Sequence, residues 1–193
     1  MVGFFYSSPH HKGDQMAIEK IKNKKTIIYP KGLDITWGKD DRYWRLPSRY
    51  QNMKDPSAAA ELLQVSWLEV TCSTDNVEAG KSYRVGFNVS MAPAAFGWKG
   101  CDVYIMAKIG KAGRFVYKKM SLENKCSVPN KFSMPEEGLI ITVKPASSSL
   151  GDHCLYFGMY EVWSGRWKGG LKIHHLLRTL TTSLHQLESV KDI

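Results

Sequence analysis

Long apolar runs are missing from this chain. No segment approaches the roughly 18 consecutive apolar residues of a membrane span. The start, Met1-Val2-Gly3-Phe4-Phe5-Tyr6-Ser7-Ser8-Pro9-His10-His11, has neither a basic n-region nor an apolar core of signal-peptide length. Cysteine is sparse: Cys72, Cys101, Cys126 and Cys154 lie far apart with no C-x-x-C pair. That spacing signals neither a zinc site nor a thioredoxin motif, and it predicts free thiols in a reducing compartment. The expected location is therefore the cytosol, with the nucleus as a second compartment. Asn88-Val89-Ser90 fits a glycosylation sequon, which stays unmodified without secretion. Catalytic signatures are missing too, with no Gly-x-Ser-x-Gly, no His-Glu-x-x-His and no phosphate-binding glycine loop. Acidic residues are in deficit: 27 Lys+Arg against 18 Asp+Glu leave a net charge of +9. The excess favours anionic partners, RNA among them, without naming one.

What is present is an ordinary globular composition, 43% apolar and 23% charged over 193 residues, enough for one domain with a full core. Apolar and polar residues alternate in many short runs. The clearest is 82–90, with Tyr83, Val85, Phe87 and Val89 on one face and Arg84, Gly86, Asn88 and Ser90 on the other. Similar runs cover 25–29, 33–37, 65–71, 102–109, 114–118, 139–143, 153–163 and 171–175. Leu68 and Val70 place the 65–71 strand centrally, while 123–137 reads as a long loop. No strand alternates with a long helix, so the pattern predicts an all-β, antiparallel sandwich or barrel. Asp55-Pro56 followed by alanines predicts one short helix over 56–63. Residues 1–24 are polar and basic and read as a mobile arm. Leu176, Leu180, Leu184 and Leu187 recur at helical spacing, which predicts an amphipathic C-terminal helix over 176–193.

One loop stands out chemically. Trp37 and Trp44 flank the polar run Gly38-Lys39-Asp40-Asp41-Arg42. Flat rings beside carboxylates and a guanidinium suit a ligand with an apolar face and polar edges, as a pyranose has. Core packing stands equally beside this reading, because Trp is buried on average. Trp67, between apolar neighbours, reads as core; Trp98, Trp163 and Trp167 read as loop props or as part of a binding face. Lys168 reads as a solvated lysine. His174 and His175 are expected on opposite faces of a strand and so cannot share a metal.

Three stretches, Ile35-Thr36-Trp37-Gly38-Lys39-Asp40-Asp41-Arg42-Tyr43-Trp44, Glu61-Leu62-Leu63-Gln64-Val65-Ser66-Trp67-Leu68-Glu69-Val70, and Met159-Tyr160-Glu161 leading to Trp167-Lys168-Gly169-Gly170-Leu171, resemble the phloem protein 2 family. These are plant lectins typified by the tobacco agglutinin and the cucurbit phloem lectins. The resemblance covers about residues 25–175. It implies a jelly-roll-like sandwich that binds N-acetylglucosamine oligomers and N-glycan cores without a metal or other cofactor. The family's sugar-binding positions match Trp37, Trp44 and Glu161 here. An ionised carboxylate accepts strong hydrogen bonds from sugar hydroxyls, although Glu161 could equally pair with Arg42 or Arg166. Two departures stand out. The tobacco protein's lysine run has no counterpart, and the chain continues past the family's usual end.

The expected function is a non-enzymatic lectin, with glycans or glycoproteins as partners and a homodimer supplying avidity. A glycosidase needs two carboxylates across one cleft, and nothing in the spacing of Asp40, Asp41 and Glu161 requires that. RNA binding is the alternative, through basic residues and exposed aromatics.

Overall fold

The computed structural model describes residues 8–181, apart from residues 23, 49, 51, 76, 126–129 and 146–152. Its strands are β1 (Ile18–Ile21), β2 (Lys25–Ile28), β3 (Asp34–Ile35), β4 (Trp44–Arg45), β5 (Ala60–Leu62), β6 (Leu68–Thr74), β7 (Ser82–Phe96), β8 (Asp102–Ile109), β9 (Val116–Ser121), β10 (Phe132–Thr142), β11 (Leu155–Glu161) and β12 (Gly169–Thr181). All strand pairs among the described residues are antiparallel. One sheet runs β3-β6-β11-β8-β9. The other is built on β12: β7 lies along one edge with β10 beyond it, and β5 and β2 share the opposite edge, extended by β4 and β1. The predicted all-β sandwich is what the chain forms, and β6 is central as expected.

The core lies between the sheets because the period-two residues demand it. Tyr83, Val85, Phe87 and Val89 of β7 are buried, as are Val103, Ile105 and Ala107 of β8. The β7 residues face these β8 side chains together with Leu68, Val70, Leu155, Phe157 and Met159 of the same five-stranded sheet. Burying one such aliphatic or phenyl side chain fully is worth about 1.5–3 kcal/mol relative to leaving it in water.

Four expectations are corrected. The helix over 56–63 is a turn followed by a strand. Asp55 Oδ1 accepts hydrogen bonds from the Ser57 amide and hydroxyl at 2.8 and 2.6 Å, and Ala60–Leu62 then pairs with β4 and β12. Alanine's helix propensity is a weak prior, and burying Ala60 and Leu62 across a strand decides against it. The described part of the N-terminal arm is ordered: His11 bridges to Ile35, Asp14 caps a 3-10 turn at Gln15–Ala17, and β1 pairs with β2. β10 begins inside the stretch read as a loop, with a register shift between Met134 and Leu139.

The fourth correction concerns the leucines of the C-terminus. Residues 176–181 belong to β12, and Leu176 is fully buried. A spacing of four is even, so Leu176 and Leu180 share a face of a strand as readily as of a helix. Leu184 and Leu187 lie outside the described residues. β12 also carries a bulge, because its register shifts between Ile173 and His175 and leaves His174 as the extra residue. His174 hydrogen-bonds Ser90 Oγ at 2.8 Å, and His175 pairs with Asn88. Ser90 and Asn88 both alternate with the core residue Val89, so the two histidines share the outer face. The expected opposition of their side chains is undone by that one extra residue.

Beyond the bulge, Arg178 points inward and is buried. Its guanidinium donates to Thr74 Oγ1 and the Asp75 carbonyl at 3.0 and 3.1 Å, and to Thr26 Oγ1 at 2.9 Å. Thr74 and Thr26 belong to different sheets, so one side chain ties the two layers. Ending the chain after His175 removes this tie together with Leu176, whose loss alone costs about 2–5 kcal/mol. The expected outcome is a large fall in melting temperature and in soluble yield. An unchanged melt would show the segment to be dispensable.

Candidate functional site

The site is built by two loops at one end of the sandwich. The first, residues 36–43, follows the buried Ile35. The Thr36 amide donates to the Glu69 carbonyl at 3.1 Å and its hydroxyl to Glu69 Oε2 at 3.3 Å. Trp37 then adopts a left-handed backbone, φ +63°, which costs an L-residue roughly 1–2 kcal/mol. Its amide donates to His10 Nδ1 at 3.0 Å, and its carbonyl accepts from Asp40 at 3.1 Å. Asp40 closes the turn by accepting from the Arg42 amide at 3.0 Å and from its guanidinium at 2.7 Å. The Arg42 hydrogen bonds hold the Asp40 carboxyl below the usual carboxylate range.

The second loop, residues 162–168, hangs from an inward-facing carboxylate. β11 alternates so that Glu161, level with Leu68, points into the sandwich and is 2% exposed. Glu161 accepts from the Ser164 amide and hydroxyl, both at 3.0 Å, and forms an ion pair with Lys168, which is fully buried. Lys168 Nζ also donates to the Ser66 carbonyl at 3.2 Å. Burial alone would raise the Glu161 carboxyl. The Lys168 ammonium and the two Ser164 donors outweigh it and hold the group below its ordinary value. Trp98 lies beneath, fully buried, with its indole N–H on the Gly169 carbonyl at 2.8 Å. Gly97 has φ +79°, and a Cβ there would collide with the Trp167 carbonyl, so the loop packs on a position only glycine can fill.

Together the loops present a row of rings. His10 and Trp37 have centroids 5.2 Å apart, Trp37 and Tyr43 5.8 Å, and Tyr43 and Trp167 6.3 Å with planes only 28° apart. Trp37 is 38% exposed and Trp167 51%. The Arg42 guanidinium lies 5.3 Å from the Tyr43 ring centroid. Flat apolar faces bordered by charged and hydroxyl groups can hold a flat, amphipathic ligand.

The three residues predicted for the site do not share one surface. Trp37 is in the row. Trp44 is 1% exposed, pairs with Leu62 and belongs to the core. Tyr43, the last residue of the loop, is half-buried against the core, and its ring reaches toward Trp37 and Trp167. Trp44 Nε1 has no hydrogen-bond partner in its buried position. Glu161 sits behind the second loop with its oxygens engaged. Two further expectations are reversed. Lys168 is buried, not solvated, and Trp67 is 47% exposed, with its indole N–H on Glu69 Oε2 at 2.9 Å. Sequence reasoning left Tyr43 and His10 out of the site; the place of Tyr43 in the same loop as Trp37 was the signal for it, and nothing local signalled His10. Among the described residues no cluster of three His, Cys, Asp or Glu side chains could hold a metal ion, and no helix is long and apolar enough to cross a membrane.

Comparison with known proteins agrees over nearly the whole chain. The profile of the family described as Phloem protein 2 matches residues 23–177. Protein PHLOEM PROTEIN 2-LIKE A9 of Arabidopsis thaliana is 43% identical over 175 residues, 86% of this chain and 93% of its own length. Protein PHLOEM PROTEIN 2-LIKE A1 of the same plant is 30% identical over 154 residues, 76% of this chain and 58% of its own. A protein named Lectin from Luffa acutangula is 35% identical over 75 residues, 38% of this chain and 35% of its own.

Two outcomes follow from the loops. A carboxyl lowered by folding stabilises the native state above its unfolded value, near 4.3, and that contribution is lost as pH falls through the folded value. Thermal melts across pH 3–7 should therefore show an acid-labile component that Glu161→Gln removes, while Lys168→Ala, which strands a buried charge, costs about 3–5 kcal/mol. At position 37, Trp37→Gly should be more stable than Trp37→Ala by about 1 kcal/mol, because glycine takes φ +63° without a Cβ clash. Equal stability in urea titrations would show that the backbone there is unstrained.

Proposed function

The chain belongs to the phloem protein 2 family, and from that membership we propose that it is a lectin for N-acetylglucosamine oligomers and N-glycan cores, working without catalysis and without a metal. The observation that carries the reading is the row of exposed Trp37, half-buried Tyr43 and exposed Trp167, pinned from below by ion pairs and hydrogen bonds. Sugar C–H faces would rest on the rings, and the edge hydroxyls would meet Asp40, Arg42 and the Tyr43 hydroxyl. Trp44 and Glu161 serve the site from beneath: Trp44 fixes the first loop on the core, and the Glu161–Lys168 pair fixes the loop that carries Trp167. The relatives from Luffa acutangula and Coccinia grandis that bear the name Lectin support the same class.

A hydrolytic role finds no support in the geometry, because Asp40 is engaged by Arg42 and Glu161 by Lys168. The RNA alternative is weakened by where the charge goes. Lys31 and Lys168 are buried, and Arg42, Arg45, Lys119 and Lys172 are paired with carboxylates. We place the protein in the cytosol, with nuclear entry as a second location. A neutral sugar on a shallow surface gives single-site affinity of roughly micromolar to millimolar Kd, so useful avidity calls for a dimer.

Calorimetric titration of chitotriose should give a signal in this range that hardly changes between low and high salt, while RNA binding would fall steeply with salt. Trp167→Ala should weaken binding by about tenfold, ~1.4 kcal/mol, with an unchanged melting temperature. Trp44→Ala should instead lose about 3–5 kcal/mol of stability, as a core truncation does. No heat from the wild type at millimolar sugar ends the lectin reading.

A further inference from the structure

The outward face of the five-stranded sheet carries aromatic residues that neither the core nor the loop site uses. Strand register fixes two rows across it. Glu69, Tyr160, Tyr104 and Lys119 lie side by side, and next to them run Thr71, Gly158, Met106 and Tyr117. Trp163, just past β11, meets Tyr104 edge-on at 4.7 Å, and Tyr104 meets Tyr117 at 5.8 Å. Trp163 is 61% exposed and Tyr117 59%. Gly158 lets the Tyr160 ring lie across the middle of the face. A Cβ there would come within 2.7 Å of the Val70 carbonyl and 2.9 Å of the Tyr160 hydroxyl. An antiparallel sheet facing water is normally polar on that side, so this concentration of rings needs an explanation.

The face is continuous with the ring row described above. Glu69 accepts hydrogen bonds from both Thr36 Oγ1 and Trp67 Nε1, and Thr36 directly precedes Trp37. Ser66, beside Trp67, accepts from Lys168, which directly follows Trp167. Trp67 therefore stands at the edge where loops and sheet meet. The chemistry of the face fits sugar better than a protein surface. Its rings alternate with the hydroxyls of Tyr104, Tyr117 and Tyr160, with Glu69, and with the Asp102–Lys119 ion pair at 2.9 Å. The cores of protein–protein interfaces are depleted of charge, whereas a sugar chain offers apolar faces and polar edges in turn. Burial, with Glu69 close by, pushes the Tyr160 hydroxyl up to about 12, so it remains an O–H donor.

We propose that this sheet face is a second sugar-holding platform, joined to the loop site at Trp67, and that the natural ligand is an extended glycan chain crossing from one to the other. The inference rests on the lectin reading and adds to it the length of the ligand and a second set of residues, Tyr104, Tyr117 and Trp163.

The test is calorimetric titration of chitobiose, chitotriose and chitohexaose into the wild type and into the double variant Trp163→Ala/Tyr117→Ala. Both side chains are mostly exposed, and melting curves confirm that the variant is folded; Trp163→Phe, which keeps a ring, serves as a second variant. In the wild type the hexaose is expected to bind about tenfold more tightly than the triose, a step of ~1.4 kcal/mol. The double variant should lose most of that gain while its triose affinity stays unchanged, and Trp163→Phe should keep part of it. A hexaose affinity untouched by the double variant overturns the platform and leaves the lectin reading standing. No binding of any oligomer to the wild type overturns both. A double variant that changes sedimentation from dimer to monomer without affecting hexaose makes the face a self-association surface. Salt-sensitive binding of oligouridylate that the double variant abolishes makes it an RNA surface. Either result overturns the proposal.

Discussion

The thirteen residues Gly169–Thr181 carry hydrogen-bonded neighbours on both edges, and the larger sheet exists only through them. On one side the strand pairs with Ser82–Phe96 nearly end to end. On the other it pairs first with Ala60–Leu62 and then with Lys25–Ile28, two segments far apart in sequence. An antiparallel ladder satisfies backbone donors and acceptors that would otherwise be buried unpaired. Removing the central strand would therefore orphan three neighbours at once. Its inward side chains, Leu171, Ile173 and Leu176, then fill the middle of the core.

The second loop of the candidate site inherits its order from that strand. Lys168 immediately precedes it, and its backbone forms a two-way bridge to Val65. The ammonium is thus delivered into the sandwich at a fixed place, and Glu161 at the end of the neighbouring sheet meets it there. The six residues of chain between these partners have little freedom left, and Ser164 uses some of what remains. A buried ion pair is weak evidence for stability, since desolvation offsets most of its attraction. Its effect here is better described as positional, because the paired charges leave few places for the loop to go. The same division of labour holds at Trp37, where a left-handed backbone is kept by hydrogen bonds from both sides.

The sandwich was legible because its strands are half-buried, and half-burial writes itself as alternation. Asp102–Ile109 matches its predicted bounds to the residue, and the buried face of Ser82–Ser90 is the predicted one. Very short strands were not legible: Ala60–Leu62 contains only one full alternation, and a local capping pattern around Asp55 outweighed it. The leucines at the C-terminus were ambiguous in principle, since a four-residue spacing satisfies both periods. At the site, the motif containing Trp37 and Trp44 was found, but which ring faces water depends on strand phase, and the phase is set by Leu62 across the edge. Lys168 was misjudged because a lysine's burial depends on a partner 7 positions away whose own direction is fixed by a different strand.

The bulge at His174 divides β12 into two phases. Before it, the odd-numbered residues Leu171 and Ile173 face the core; after it, the even-numbered Leu176 and Arg178 do. The extra residue acts as a frame shift for burial, letting one strand serve β5 in one phase and β2 in the other. Chain length at this point is therefore under a constraint that composition does not reveal. Deleting His174 itself would remove the bulge and restore plain alternation, with Ile173 inward, His175 outward and Leu176 inward. A deletion further on, at Leu176, would instead bring Leu177 and Thr179 toward the core and carry the Arg178 tie between the sheets out into water.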